Sequence, residues 1–179
     1  SIGLAGLAIL VGQGREIAGD GRIWKVPASP SEVVEAQYRF ELDAYLDQTD
    51  SETVGMRRGT TRALLLEGWL MQPLANDVYL PVAIAVDLPP GENFASGLRR
   101  EQGRYVLDDM PIRFAGYSVF GRFQPLIVPV PAPPGSAPDQ QKTAHIDLVM
   151  LDADYAASRQ EYADWVRQSA RAIATYFDG

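Results

Sequence analysis

The sequence predicts a mainly β protein, an antiparallel β-sandwich or a set of twisted sheets, with one amphipathic helix at the C-terminal end. Residues 34–44 alternate between apolar and polar side chains, which is typical of an antiparallel strand with one buried face. Further short apolar runs are separated by Gly- and Pro-rich turns. Residues 158–177 instead show helical spacing. We therefore predict a β-sandwich-like domain at 1–151 and, at 152–179, a helix that leads toward a domain absent from this chain.

The composition is that of one folded domain of ordinary size. With 179 residues and 46% hydrophobic side chains, the chain can bury a proper core. Its net charge of -7 argues against a nucleic-acid surface, where basic residues neutralise phosphate, and against docking on anionic lipid. The sequence contains no cysteine, which excludes a disulfide framework and a cysteine-based metal site. The compartment stays open, and we favour a periplasmic or secreted location slightly over the cytoplasm.

The first strand candidate is residues 2–11, which are apolar and uncharged. This segment is far shorter than the roughly 20 residues that a helix needs to span a bilayer, so no integral membrane segment is evident. Two interpretations stay open, an opening strand of the domain or the trimmed end of a signal or anchor segment.

The remaining strand candidates follow the alternating run at 34–44. A second alternating run at 78–86 contains Pro81, which cannot donate a ladder hydrogen bond and therefore indicates an edge strand. Six shorter apolar runs complete the predicted sheets, at residues 22–26, 63–71, 104–107, 112–123, 126–130 and 144–151.

Two polar segments separate these strands. Residues 47–61 are predicted to form a long hairpin tip, and residues 131–141 a proline-rich surface loop. Binding residues tend to lie on long strand connections. From the sequence, residues 47–62 are therefore the segment in which we expect a functional surface.

The C-terminal helix has a clear start signal. Ser158 and Glu161 form a predicted capping box, in which the serine hydroxyl accepts from the Glu161 N–H and the glutamate side chain reaches back. Gly179 is the predicted C-cap. The predicted apolar face consists of Tyr162, Trp165, Val166, Ser169, Ile173, Tyr176 and Phe177. The opposite face carries Asp164, Arg167, Gln168 and Arg171. We expect a sheet to cover part of the aromatic face and a following domain to cover the rest.

His145 is the one histidine of the chain, and in a strand it shares a face with Asp147. That pair is the one arrangement that resembles an oriented general base. No serine lies in a recognisable nucleophile elbow, and an H-E-x-x-H zinc motif needs two histidines. We therefore expect a surface or edge-strand histidine. Gly12 and Gly14 start like a dinucleotide fingerprint, but Ile17 stands where its third glycine belongs.

Carboxylates are plentiful, notably Asp108, Asp109, Asp152 and Asp154. Sequence alone leaves a glycosidase pair open, but aspartates in turns usually act as capping and turn residues, which is what we expect here. Asp152 and Asp154 lack the length and the glycine of a calcium loop. We therefore assign no catalytic, cofactor-binding or metal residue, and no cofactor, to this chain.

Four segments carry a resemblance when they are taken in order. They are Trp24 to Val26 with residues 36–40, residues 80–91, residues 105–116, and residues 145–151 with the helix end at 174–177. Together they resemble the N-terminal part of M61-type glycyl aminopeptidases, zinc metallopeptidases of the gluzincin group related to M1 aminopeptidases. The resemblance spans roughly residues 20–177 and consists of packing and turn residues. The sequence departs from the family pattern in the insertion at 131–141.

The resemblance implies a non-catalytic N-terminal domain that braces a zinc peptidase domain and walls part of its substrate cleft. The partners would be that following domain and a peptide substrate at the junction, with zinc bound outside this chain. Since no H-E-x-x-H motif occurs in the sequence, no zinc or catalytic residue is carried over. The alternative is a stand-alone β-sandwich binding or adhesion module without enzymatic activity. A third interpretation is that the protein descends from a zinc peptidase but has lost the zinc ligands and remains as a scaffold.

Overall fold

The computed structural model describes residues 4–11, 15–17, 26–27, 29, 32–71, 81–108, 110–130 and 144–178. The chain forms two compact units. The first comprises the described residues within 1–57, 62–87 and 96–119. The second comprises the described residues within 58–61, 88–95 and 120–179.

Most of the strands lie in the first two thirds of the sequence, and the longest helix lies at its C-terminal end. The strands are β1 (Leu4–Val11), β2 (Arg15–Ile17), β3 (Val34–Phe40), β4 (Gly55–Arg58), β5 (Thr61–Leu65), β6 (Val82–Ile84), β7 (Asn93–Ser96), β8 (Arg99–Glu101), β9 (Arg104–Leu107), β10 (Tyr117–Gly121), β11 (Leu126–Val130) and β12 (Ala144–Leu148). The α-helices are α1 (Leu42–Leu46), α2 (Leu66–Trp69) and α3 (Arg159–Asp178), and a 3₁₀ turn covers Ile112–Phe114.

The described strands form four sheets, with orders β2-β1-β3, β4-β5-β10-β7, β6-β9-β8 and β11-β12. Strand β1 pairs antiparallel with β3, so that Leu4 lies opposite Phe40 and Val11 opposite Val34. Strand β11 pairs antiparallel with β12 from Leu126 opposite Leu148 onward. The protein is therefore mainly β with antiparallel sheets and one long C-terminal helix, as the sequence predicts.

The strand predicted at 34–44 is correct as far as Phe40 and wrong beyond it. Leu42–Leu46 form helix α1 instead, in which the Tyr45 N–H donates to the Glu41 carbonyl at 3.1 Å. The change of direction brings the rings of Phe40 and Tyr45 to 5.4 Å. Side-chain burial along β3 also differs from the alternation, because Val34 is exposed. Local packing thus overrides the period-2 pattern at this end.

The run at 63–71 also ends earlier than predicted. Strand β5 stops at Leu65, and Leu66–Trp69 form the single-turn helix α2. The Trp69 indole N–H donates to Ser118 Oγ at 3.1 Å in the interior of the first unit. The Tyr38 hydroxyl donates to the Trp69 carbonyl at 2.9 Å. These hydrogen bonds pair polar groups of Trp69 within the turn formed by α2. The strand predicted at 63–71 is therefore wrong beyond Leu65.

Other strand predictions match closely or in part. Strands β9 and β11 have the predicted bounds, β12 ends at Leu148, and the run at 112–123 divides into the 3₁₀ turn and β10. Of the run at 78–86, the described part forms β6, an edge strand, as Pro81 indicates. Leu4–Val11 is a strand, as one interpretation of residues 2–11 predicts. The predictions for residues 12–14, 22–25, 78–80, 109, 131–141 and 179 lie outside the described residues.

Each unit has its own buried residues. Leu64, Leu66 and Leu107 are almost fully buried in the first unit. In the second unit Val128 is fully buried, and Ala163 is 1% exposed where α3 packs near β11. Every buried side-chain nitrogen or oxygen among the described residues has a hydrogen-bond partner. The core therefore shows no unsatisfied polar atom that would mark a reactive group in these parts.

The predicted capping box is confirmed at the start of α3. The Glu161 N–H donates to Ser158 Oγ at 3.3 Å, and the Ser158 N–H donates to Glu161 Oε2 at 2.7 Å. The backbone N–H and the hydroxyl of Ser158 both donate to the Glu161 carboxylate, which holds the pKa of Glu161 below its usual value. The first turn of the helix is thus closed by its own side chains.

Replacing Ser158 by alanine is expected to destabilise the chain by about 1 kcal/mol, because one side of the capping box is lost. Chemical denaturation monitored by circular dichroism measures this change. Ser169→Ala is the control, since Ser169 lies inside the same helix and caps nothing. A Ser158→Ala protein no less stable than the Ser169→Ala protein would contradict the role of the box.

Candidate functional site

Helix α3 carries more exposed large apolar side chains than any other helix or strand in the described part of the chain. Trp165, Ile173, Tyr176 and Phe177 are 67%, 60%, 79% and 77% exposed, respectively. We call these four residues the α3 stripe. Singly exposed apolar residues are common on proteins, whereas a cluster of large ones on one element marks an interaction surface.

The stripe follows the geometry of the helix. At 100° per residue, the eleven positions from Trp165 to Tyr176 return the chain to nearly the same side, about 16 Å further along the axis. Ile173 lies between them, one turn before Phe177. The rings of Tyr176 and Phe177 meet edge to face at 5.1 Å. Ile173, Tyr176 and Phe177 thus lie close together near the end of the helix, and Trp165 lies about 16 Å earlier on the side of Tyr176, a spacing that one partner surface can cover.

The predicted apolar face of α3 is covered only in part. Tyr162, Val166 and Ser169 are half-buried, whereas the four residues of the stripe are exposed. The covered side is centred on Ala163, with the half-buried residues Val166, Ala170 and Ala174. Helix α3 contacts β11, and small side chains on the covered side of a helix permit a close approach to a strand. Ala163, Ala170 and Ala174 are spaced at i, i+7 and i+11. This spacing indicates the covered side of the helix, but a search for large apolar residues does not detect it.

The polar segment 47–62 has a different structure from the predicted tip. It contains the turn after α1, strand β4 and a tight connection to β5, rather than one long hairpin tip, because β4 begins at Gly55. Arg57 and Arg62 from this segment bind acidic residues. The guanidinium of Arg62 donates to both carboxylate oxygens of Asp43, at 2.7 and 2.9 Å. Arg57 donates to Asp43 at 3.0 Å and to Asp47 at 3.1 Å.

Within the described residues, these hydrogen bonds join two carboxylates and two guanidiniums, whose charges balance. The hydrogen bond from Arg62, aided by those from Arg57, holds the pKa of Asp43 below its usual range. A network that satisfies its own charges has a structural role and leaves little to bind a ligand. We therefore find no support for residues 47–62 as the functional surface.

The network predicts a specific pH dependence. Because the folded pKa of Asp43 is depressed, its contribution to stability is present above about pH 3.8 and is lost as the pH falls through the folded value. Asp43→Asn should therefore lower stability by less than about 1 kcal/mol at neutral pH, since the ion pairs are exposed. The difference in stability between the two proteins should shrink as the pH falls from neutral toward pH 2.

Urea denaturation at both pH values measures the difference. Asp154→Asn is the matched control, because Asp154 is exposed and makes no hydrogen bond within the described residues. A difference for Asp43→Asn that persisted unchanged at pH 2 would contradict the assignment to the ionised carboxylate.

His145 and Asp147 both lie on β12, opposite Pro129 and Ile127 of β11. Both side chains are exposed, and within the described residues His145 makes no hydrogen bond. A general base needs an orienting partner and a nearby proton to accept. The expectation of a surface histidine on a strand therefore agrees with its position.

The aspartates act as turn and pairing residues. Asp108 accepts from Arg99 at 2.7 Å. Asp152 Oδ2 accepts from the Thr60 N–H at 3.1 Å, and its own N–H donates to Thr61 Oγ1 at 3.1 Å. Among the described residues, no group of three or more His, Cys, Asp or Glu side chains could hold a metal ion. In this part of the chain, the predicted acidic residues therefore do not come together into a site.

The α3 stripe is thus the strongest candidate functional feature in the described part of the chain. No described helix combines the length and the apolar character needed to cross a membrane. Comparison with protein-family models, with curated proteins and with solved structures gives no match for this chain.

Proposed function

We propose that this chain is the non-catalytic β-domain of a zinc aminopeptidase and that the α3 stripe contacts the catalytic domain of the same protein. The carrying observation is the stripe, whose four large apolar side chains are exposed on a helix that is otherwise well packed and capped. Burial of such side chains against a partner is favourable by about 25 cal/mol per Å² of apolar surface. In this proposal zinc and the reacting groups belong to the catalytic domain.

Two turns that carry the resemblance have the geometry their residues suggest. In the segment 80–91, Gly91 adopts a φ of +82° and the Glu92 N–H donates to the Pro89 carbonyl at 3.1 Å. In the segment 105–116, the Phe114 N–H donates to the Pro111 carbonyl at 2.9 Å, and Gly116 has a φ of +74°. Glycine favours these left-handed conformations. The segments are therefore turns at the quoted positions, which supports the proposed relationship without assigning any reactive residue.

The proposed role follows from the same surface. A helix seated in a groove of the catalytic domain would hold the β-domain rigidly beside the substrate cleft. The β-domain would then wall one side of that cleft, where a peptide enters with its N-terminus first. The chain itself supplies position and shape, while the neighbouring domain supplies the chemistry.

The protein encoded by the whole reading frame tests this proposal. An H-E-x-x-H motif after Gly179 is expected, and a double variant with Trp165→Glu and Tyr176→Glu should open the interface. We expect faster limited proteolysis at α3 and lower aminopeptidase activity in that variant. Arg171→Glu is the control, because it places the same charge on the polar face of the helix.

The same substitutions in residues 1–179 alone separate an interface effect from a folding effect. Trp165 and Tyr176 are exposed there, so both variants should keep the stability of the parent chain to within about 0.5 kcal/mol. A stop codon near Gly179 would sink the proposal and favour a stand-alone binding or adhesion module. A degenerate zinc motif would instead indicate a scaffold without activity.

A further inference from the structure

A solvent-open cavity on the surface of the second unit has a volume of about 440 Å³ and is lined by Gly91, Asn93, Arg122, Phe123, Gln124 and Arg159. These residues include two arginines and no carboxylate. That composition is unusual for this chain, whose net charge is -7. The cavity is therefore a local cationic site on an acidic protein, the arrangement that attracts an anion.

The two guanidiniums are held differently. Arg159 donates one N–H to the Gln124 carbonyl at 2.8 Å, which fixes the guanidinium at the wall of the cavity. A guanidinium has five N–H donors, so most of those on Arg159 are left for a ligand. Within the described residues, neither Arg122 nor Arg159 forms an ion pair. Each arginine can therefore bind a carboxylate through a two-point hydrogen bond.

The amino-terminal end of α3 does not supply this site. Its first-turn amide at Glu161 donates to Ser158 Oγ, and the Glu161 carboxylate accepts from Ser158. The capping box thus fills the end of the helix. Attraction for an anion comes from the side chains of Arg122 and Arg159.

The neighbouring groups define the ligand further. The Asn93 side-chain N–H donates to the Phe123 carbonyl at 2.7 Å, which leaves the Asn93 carbonyl oxygen as an acceptor. An inorganic anion has no N–H to offer that oxygen, whereas an acylated amino acid does. Phe123 is half-buried and adds an apolar wall for a side chain. The cavity thus offers hydrogen-bond donors for a carboxylate, an acceptor for an N–H and an apolar wall for a side chain. Together these match the C-terminal residue of a polypeptide.

We infer that this cavity binds the C-terminal carboxylate of a peptide, with Arg122 and Arg159 holding the carboxylate and Asn93 accepting the last peptide N–H. The cavity would bind such a peptide whether or not the chain belongs to an aminopeptidase. Affinity in the millimolar range is expected, since both guanidiniums are exposed to solvent and salt.

Titration of the ¹⁵N-labelled chain tests the inference, with the side-chain amides of Asn93 and Gln124 as reporters. The probes are N-acetylalanine, its neutral analogue N-acetylalaninamide, propionate and inorganic phosphate. We expect N-acetylalanine to bind at least about tenfold more tightly than the amide, and more tightly than propionate or phosphate. Binding should weaken as sodium chloride is added.

Variants locate the site. Arg122→Ala with Arg159→Gln should weaken binding of N-acetylalanine at least about tenfold, because both guanidiniums are removed. Arg104→Ala is the control, because Arg104 is exposed and does not line the cavity. Unchanged spectra elsewhere establish that the double variant is folded. No binding of N-acetylalanine, equal binding of the amide or of phosphate, or equal binding by the double variant would each overturn the inference.

Discussion

Replacing Gly121 by alanine is expected to destabilise the protein by about 3 kcal/mol or more, the largest effect of any single methyl group that we predict. Gly121 ends β10 with a φ of +131°, a conformation that side chains with a Cβ rarely adopt. A Cβ at this position would lie 2.2 Å from the Thr60 carbonyl oxygen and 3.0 Å from the Thr61 Cα. Since these are main-chain atoms, relief requires movement of the backbone rather than of a flexible side chain.

Two other glycines separate the collision from the effect of φ alone. Gly103 has a φ of +82° and nothing within 4 Å of the point that an alanine Cβ would occupy, so Gly103→Ala should cost about 1 kcal/mol. Gly97 has equally open surroundings and no such φ, so Gly97→Ala should change stability by less than about 0.5 kcal/mol. Denaturant midpoints of the three variants measure the series. Equal midpoints for Gly121→Ala and Gly103→Ala would contradict the collision.

Enlarging Ala163 to leucine is expected to destabilise the protein by about 1–3 kcal/mol. Ala163 is 1% exposed on the side of α3 that contacts β11, and Val128 on that strand is fully buried. Added methyl groups have no space at such a position and push the helix away from the strand. The substitution also tests the orientation of α3, in which Ala163 is covered while Trp165 and Tyr176 are exposed.

Ala172→Leu is the matched control, because Ala172 is exposed on the same helix. The same chemical change there should alter the free energy of unfolding by less than about 0.5 kcal/mol. Thermal and urea unfolding measure both variants. If Ala172→Leu were the more damaging of the two, the side of α3 that carries Ala172 would be the covered side, which would contradict the burial of Ala163.

Local sequence signals determine much of this fold. Alternation and turn residues predict the antiparallel sheets, and β9 and β11 have the predicted bounds. The capping box places the start of α3 correctly. The failures occur where contacts distant in sequence decide the outcome. Residues 63–71 could not be divided from sequence alone, because the turn at Leu66 depends on the carbonyl of Gly116.

The sequence predicts the candidate surface on α3 only in part. The sequence shows that α3 has a wide apolar face, but not which part of it a sheet covers. Trp165 and Tyr176 on that face are exposed, whereas Ala163 is the most buried of the described residues of the helix. The cationic cavity had no sequence signal, because Asn93, Arg122 and Arg159 are far apart in the chain and meet only in the folded unit.

Zinc content and peptidase activity together decide whether this chain is a non-catalytic domain of a zinc aminopeptidase. Tightly bound zinc and hydrolysis of peptide N-termini are measured side by side for residues 1–179 and for the protein from the whole reading frame. We predict neither zinc nor activity for residues 1–179, and both for the whole protein. One zinc ion per molecule with peptidase activity in residues 1–179, or neither property in the whole protein, would contradict the proposal.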